Sequence, residues 1–468
     1  MKFSKAVFFS ILMSLFIVSS VGAQNSAFVS KISNLSDEDT IIVNIEVSSA
    51  VEFKSFVLGE PARLVIDLKN ADTDLVPYEQ VVENDKILNK IRIGRPEPDV
   101  VRVVLDLSFL LPSRITAEGK NIVVRLPRKI DAKEQKMEVL PGVIYSMNMK
   151  MLDEGPITYH VVDLNLNDPK VGIEIGIGEN KIGGMEKLSS MVKRKKAAIG
   201  INGGYFNMKS GQPIDMLIVR GKLLILPERF RGFFGITAKG EPLFMRPNAE
   251  LSIRVDNDHP FYVNRLNWPT GKDQIGIFTS EYGESTGTEG ARRELIVKNG
   301  KITGISASDS NIPSDGFVIS GPVDNEFIKS LKEGQSISLL ISSYPDLGNI
   351  EYGISAGPML IKNGEIQDKS IEDFTVDSNI VTKRNPRTAI AKTNNKHLIF
   401  IVVEGRSTRS IGMTIKELSL LAKNLGAVDA INLDGGGSSE LIIGEKIMNE
   451  LNGETERPIA TSVLIHYR

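Results

Sequence analysis

The stretch AINLDGGGSSELII, residues 430–443, decides how the second half of the chain is read. An apolar strand runs into Asp434, three consecutive glycines and two serines, and a second strand follows at once. A Walker loop needs a lysine after its glycines, and a dinucleotide-binding fold needs a helix there. Here Ser438, Ser439 and Glu440 run into Leu441-Ile442-Ile443, so neither nucleotide cradle is written. What the sequence does supply is a carboxylate at a strand end, followed by Gly435, Gly436 and Gly437, whose backbone N–H groups no side chain shields. Such a nest suits an anion. A plain glycine-rich hairpin, with Asp434 in a local turn bond, stays open on the loop alone.

The approach to this loop is a well-specified helix. Thr414-Ile-Lys-Glu417 is a capping box, Ile415, Leu418, Leu421, Ala422 and Leu425 form an apolar stripe, and Gly426 stands where the helix should stop. A second helix, from about Met185 to Arg194, leads likewise into the strand AAIGIN and the pair Gly203-Gly204, so the two glycine loops share a preamble. Elsewhere, IVKNGKIT at 296–303 and LIKNGEIQ at 360–367 are hairpins in which Asn-Gly supplies the positive φ angles of a type I′ turn.

Other segments resemble the opening loop in kind. INGGYFN at 201–207 ends a strand with Asn202 and two glycines, then presents Tyr205 and Phe206, aromatic rings suited to stacking on a sugar. SAGPMLIKNG at 355–364 brings backbone close with Gly357. RNPRTAIA at 384–391 places Arg387 and Thr388 at a strand start, and IVVEGRS at 401–407 ends a strand with Glu404 and Arg406. Together these supply carboxylates, guanidinium groups and backbone donors, the inventory for a sugar phosphate. His160, His259, His397 and His466 are dispersed, so no zinc-protease helix and no histidine cluster is written, and lone histidines read as packed or exposed side chains. GESTG at 283–287 matches a nucleophile-elbow pattern by chance, because no helix follows it.

Taken in order, INGGYFN, SAGPML, RNPRTAIA, VVEGRS, the 412–441 segment and RPIATSVLI resemble the phosphodiester glycosidase family over residues 190–466. The resemblance implies hydrolysis of a sugar-1-phosphodiester, of the GlcNAc-1-phosphodiester type, at the glycosidic bond. The family's signature positions fall on Asn202, Gly203, Gly204, Arg387, Thr388, Arg406, Asp434, Gly435, Gly436, Gly437 and Ser438, and the family usually writes Asp where this chain has Glu404. A phosphate leaves as a stable anion, so electrostatics can dominate catalysis. Arg387, Arg406 and the glycine-loop amides are expected to hold the phosphate, with Tyr205, Phe206, Gly357 and Ser439 lining the site. Asp434 is expected to serve as base or nucleophile, with Glu404 as its partner. The sequence requires no cofactor; Mg²⁺ or Ca²⁺ would suit carboxylate and phosphate oxygens, but no recognisable metal loop is present. The competing reading is a non-catalytic envelope protein that binds peptidoglycan or polysaccharide.

At 468 residues, 41% hydrophobic and 24% charged, the chain has the composition of a folded protein of at least two domains. Lys2 and Lys5 precede an apolar run from Ala6 to Val21 that ends in Val21-Gly22-Ala23, the pattern of a signal peptide cleaved after residue 23. Cleavage takes the formal charge from −2 to −4, and only Lys193-Arg194-Lys195-Lys196 forms a basic block, so no nucleic-acid footprint is expected. The absence of cysteine excludes disulfides, thiol catalysis and thiolate metal sites. The mature protein is expected to be exported, to the periplasm, cell wall or extracellular space, without a transmembrane span.

From Ile41 to Leu126 short alternating strands dominate, and Arg63-Leu-Val-Ile-Asp67-Leu68 repeats as Arg102-Val-Val-Leu-Asp106-Leu107. Two similar halves of a β-sandwich would produce the repeat, with Arg and Asp in cross-strand pairs or turn contacts rather than in catalysis. PARLVIDLKNA and KIRIGRPEPDVVRVVLDL resemble the AMIN domain, which implies a cell-envelope location and binding of peptidoglycan or another wall polymer. Residues 127–141, charged and bounded by prolines, read as a linker. The expected architecture is multidomain: an all-β AMIN-like sandwich at 24–126, then a mixed α+β catalytic domain rich in short strands at 142–468.

Overall fold

The computed structural model describes residues 26–468 except 60, 257, 368–371, 373–381 and 454, so the expected signal segment lies outside the described residues. Two compact units divide the described residues, one built from those up to Ser108 with Ser113–Leu126, the other from Phe109–Pro112 with those from Pro127 onward.

The first unit is all-β, with two five-stranded sheets. Thr40–Val47 alternates strictly between buried and half-buried positions, which is how a strand covers a core with one face. The Arg/Asp repeat is not a mark of two sandwich halves. Arg63–Lys69 and Val100–Leu107 are antiparallel neighbours in one sheet, with Asp67 opposite Arg102. Arg102 grips Asp67 through Nε and Nη2 at 2.6 and 2.7 Å, while Arg92, on the next strand, does the same to Asp106 at 2.6 Å. These are the expected cross-strand pairs; being partly exposed, each contributes about 0–1 kcal/mol.

The second unit is organised around an antiparallel eight-stranded sheet in the order Lys133–Leu140, Val143–Leu152, Gly155–Asn165, His397–Val403, Arg387–Thr393, Ala427–Asn432, Met359–Lys362, Glu365–Ile366. The first of these strands corrects the linker expectation for 127–141. Lys133–Leu140 pairs along Val143–Leu152, and its side chains are almost all exposed, so its composition is that of a solvated edge strand. Along His397–Val403, Leu398, Phe400 and Val402 enter one core while Ile399, Ile401 and Val403 enter another. Period-two alternation with apolar residues on both faces is the pattern of a sheet covered on both sides.

One of those faces meets a five-stranded sheet whose order is Val171–Ile177, Thr461–Tyr467, Ile199–Asn202, Leu441–Ile443, Lys446–Ile447. The other is covered by the helix Ile415–Asn424. That helix begins with the expected capping box, Thr414 Oγ1 accepting from the Glu417 amide and Glu417 from the Thr414 amide. It ends before Gly426, where φ is +86°. A shorter helix, Leu188–Lys195, packs on the far side of the five-stranded sheet through Leu188, Met191 and Val192. Both Asn-Gly hairpins have the expected positive φ at Asn299, Gly300, Asn363 and Gly364. Residues 248–344 add further sheets around a core of their own that includes Leu251, Ile277, Leu295 and Ile319.

Candidate active site

The glycine loop is a crossing between sheets rather than a hairpin. It leaves Ala427–Asn432 in the eight-stranded sheet, makes a single 3₁₀ turn at Gly436–Ser438, and enters Leu441–Ile443 in the five-stranded sheet. The other expected segments end at the same seam because Asn202 ties them together. Its Nδ2 donates to the Asp434 carbonyl at 2.7 Å, while Oδ1 accepts from Thr388 Oγ1 at 2.6 Å and from the Glu440 amide at 3.2 Å. The Asp434 amide donates to the Gly203 carbonyl at 3.1 Å, and the Leu433 amide to that of Thr388 at 2.8 Å. Asn202 and Thr388 are thus buried fasteners.

Asp434 itself is half-buried and accepts from the Gly435 amide at 2.8 Å. Burial pushes its carboxyl up to about 6, against the opposing pull of the Ser438 hydroxyl, of that amide and of Arg457. Such an acid can exchange a proton near neutrality. Guanidinium groups surround the loop. Arg406, exposed and with a backbone φ of +58°, reaches a side-chain nitrogen to within 3.9 Å of where a Gly436 Cβ would stand, and is steadied by Asn385 at 2.6 Å. A non-glycine residue held in the left-handed region is uncommon and belongs to positions fixed by their surroundings. Arg457 lies directly over Gly437, where any added Cβ would collide with its guanidinium. Arg387, by contrast, is buried and spends Nε on the Met413 carbonyl at 2.8 Å and Nη2 on the Lys383 carbonyl at 2.7 Å. Burial lowers its pKa to about 10.

Tyr205 stands beside this group with its hydroxyl donating to the Gly357 carbonyl at 2.8 Å and accepting from Asn432 Nδ2 at 3.0 Å. Burial and then the charge of Asp434 push its phenol upward. Arg231 lies over the Tyr205 ring, 5.6 Å from its centroid. Ser438 and Ser439 are buried; the Ser438 hydroxyl bonds the Asp434 carboxyl, while that of Ser439 meets no partner among the described residues.

Two expected site residues lie elsewhere. Phe206 packs with Leu188, Met191 and Ile459 in the core under the short helix and offers no face to a sugar. Glu404 is buried in a different network: His160 Nε2 bonds its Oε1 at 2.9 Å, the Glu450 amide donates to the same oxygen at 2.9 Å, and Tyr145 Oη meets His160 Nδ1 at 2.8 Å. Burial alone would raise its pKa, but His160, the Glu450 amide and Arg409 outweigh it and hold the carboxyl below its ordinary value. Its bonds run to this network and not to Asp434, so it is not placed as a partner carboxylate. Gly204 also serves the protein, since any side chain there would strike the Ser355 carbonyl. Among the described residues no group of three or more His, Cys, Asp or Glu side chains converges as a metal site would require.

Residues 291–466 match the phosphodiester glycosidase family, and residues 32–126 match the AMIN domain. The chain joins an AMIN domain to a phosphodiester glycosidase domain. Among curated proteins it is 30% identical over 110 residues to an N-acetylmuramoyl-L-alanine amidase of Neisseria meningitidis, covering 21% of this chain and 26% of that one. It is 25% identical over 193 residues to the N-acetylglucosamine-1-phosphodiester alpha-N-acetylglucosaminidase of Mus musculus, covering 36% and 37% respectively. The chain therefore spans only about a quarter of the length of the first relative and somewhat over a third of the second. A crystal structure of a hypothetical protein from Synechocystis shares the fold, with a TM-score of 0.68 at 20% identity over 95% of this chain and 81% of that one.

Arg457, Arg231 and His160 were not singled out as site residues by the sequence reading. Arg457 opens the RPIATSVLI segment, so a signal for it was present. Nothing local marks Arg231 or His160, whose partners are remote in sequence.

Proposed function

We propose that the phosphodiester glycosidase domain hydrolyses the glycosidic bond of a sugar-1-phosphodiester, of the GlcNAc-1-phosphodiester type, in a cell-envelope or extracellular glycan. The observation that carries this reading is the placement of Asp434, a half-buried carboxyl that burial pushes up to about 6, on a glycine loop overlaid by the Arg406 and Arg457 guanidinium groups. In the reaction the bond between the anomeric carbon and the phosphate oxygen breaks, and its electron pair leaves with the phosphate. Water supplies oxygen to the anomeric carbon. Asp434 acts either as the base that takes the water's proton or as a nucleophile that water later displaces. Arg406 and Arg457 face the departing phosphate and offset its developing charge, while Arg387 braces the wall behind Gly435. Tyr205 presents its ring beside the reacting group.

The family match and the resemblance to the mouse enzyme support this reading. The AMIN domain and the amidase relative support an exported protein held at peptidoglycan or another wall polymer. No helix among the described residues is long and apolar enough to cross a membrane. The electrostatic work is assigned to arginines, so EDTA should leave turnover unchanged; a loss restored by Mg²⁺ or Ca²⁺ would add a metal to the scheme. Incubating purified protein with a GlcNAc-1-phosphodiester should release free GlcNAc, and Asp434→Asn should abolish the release. Binding of wall polymer with no release from any glycosyl phosphodiester would favour a non-catalytic envelope protein.

A further inference from the structure

Glu404 takes no part in the reaction drawn above, yet its contacts close a ring around the glycine loop. One oxygen of its buried carboxylate, Oε1, meets both His160 Nε2 and the Glu450 amide at 2.9 Å. The Tyr145 phenol, pushed up to about 12 by burial, keeps its proton and donates to His160 Nδ1, which leaves Nε2 as the donor toward Glu404. The residue before Glu450 carries the tie onward. Asn449 is buried, donates from Nδ2 to the Ser439 carbonyl at 3.1 Å and accepts at Oδ1 from the Leu441 amide at 2.8 Å. The Ser439 amide donates to the Gly436 carbonyl at 3.2 Å, closing the 3₁₀ turn of the glycine loop. At Gly436 the ring meets Arg406, whose guanidinium comes within 3.9 Å of where a Cβ would stand. Arg406 leads back to Glu404 through Gly405, where an added side chain would strike Pro386, and the Glu404 carbonyl accepts from Ser410 Oγ at 2.6 Å.

The ring is anchored in the eight-stranded sheet. Tyr145 lies on Val143–Leu152, His160 on Gly155–Asn165, and Glu404 directly follows His397–Val403, three consecutive neighbours in that sheet. We propose that Glu404, anchored by His160, is a positioning residue that fixes the spacing between the Arg406 guanidinium and the glycine loop, and so shapes the seat for the anionic group of the substrate. That this anion is a sugar phosphodiester rests on the reading above; the positioning does not. Such spacing matters, because a misplacement of about 1 Å costs about 10²-fold in rate. Both hydrogen bonds are accepted at Oε1, so the role needs an acceptor there rather than a negative charge. Oε2 makes no hydrogen bond among the described residues and stands 3.9 Å from Arg409 Nε. Glutamine, with its carbonyl oxygen in the place of Oε1, therefore keeps both bonds, whereas a carboxylate that takes part in the chemistry has no such substitute.

The test is calorimetric titration of the full-length mature protein with sulfate, read beside turnover of a GlcNAc-1-phosphodiester. Glu404→Ala should bind sulfate about tenfold more weakly, the scale of one charge-assisted hydrogen bond, while Glu404→Gln should stay within about twofold of the parent in affinity and in kcat. The loss in Glu404→Ala should vanish in the background of Arg406→Ala, because a residue that acts through Arg406 then has nothing left to place. Asn449→Ala breaks the ring at another point and carries the same expectations should Glu404→Ala fail to fold. Parent-like sulfate affinity in the folded alanine variant, an undiminished loss in the Arg406→Ala background, or a Glu404→Gln protein as impaired as the alanine variant would each overturn the proposal. A protein that meets the sulfate expectations, yet cleaves no glycosyl phosphodiester, would refute the proposed reaction while supporting the positioning. Turnover with sulfate affinity indifferent to Glu404 would do the reverse.

Discussion

INGGYFN at 201–207 and NLDGGGSS at 432–439 each follow a helix and a strand, and each places consecutive glycines at the strand's end. The glycines meet different neighbours. At Gly203 and Gly204 an added Cβ would run into the Thr461 backbone and the Ser355 carbonyl, so these glycines let the chain pass close to adjoining strands. Gly435 is of the same kind, since its Cβ would lie 2.8 Å from the Pro386 carbonyl oxygen. Gly436, at φ +61°, and Gly437 instead look toward the ends of Arg406 and Arg457. A glycine run therefore reports close approach, and what approaches separates architecture from chemistry.

That contrast is open to attack by substitution. Asp434→Asn should lower turnover by about 10³-fold, within the range expected for loss of a positioned acid or base. In the parent protein the rate should fall as pH drops through about 6, because the proposed role needs the carboxylate. The same substitution should raise the melting temperature at pH 7. An acid whose pKa is raised on folding makes the native state bind more protons than the unfolded chain, so its ionisation destabilises the fold above its unfolded value, and Asn removes that cost. A variant inactive because it is unfolded would remove the support for a catalytic Asp434.

Gly204→Ala should act almost wholly on stability, lowering it by about 1–3 kcal/mol in chemical denaturation because its new methyl group meets backbone that cannot move aside. Gly437→Ala should do the opposite. Its methyl group meets the mobile end of Arg457, so KM should rise about tenfold with the melting temperature nearly unchanged. If the two alanine variants behave alike, the distinction between the loops fails. The smallest effect is expected from Tyr205→Phe, which removes the hydroxyl between Gly357 and Asn432 and should cost about 1 kcal/mol of stability.

Much of the fold was legible because its signals are local. The Thr414–Glu417 capping box, the Gly426 stop and the two Asn-Gly turns are each settled within a few residues. The grouping of Asn202, Arg387, Arg406 and Asp434 was also readable, though only through a resemblance carried by several segments in order. What escaped was decided by direction or distance. Tyr205 and Phe206 are adjacent in extended chain and must point to opposite sides, so only Tyr205 reaches the site while Phe206 enters the core. Lys133–Leu140 looks like a linker because an edge strand can be held by backbone hydrogen bonds while its side chains remain in water. Glu404 finds His160 across 244 positions of sequence, a pairing that no local pattern announces.

The central claim is that the bond broken is the one to the sugar, and isotopic water tests it most directly. Hydrolysis of a GlcNAc-1-phosphodiester in H₂¹⁸O should place the heavy oxygen on the anomeric hydroxyl of the released GlcNAc and leave the phosphomonoester unlabelled, as mass spectrometry would show. Label in the phosphate would mean cleavage at phosphorus, and would contradict the assignment of Asp434 and its arginines to glycosidic chemistry.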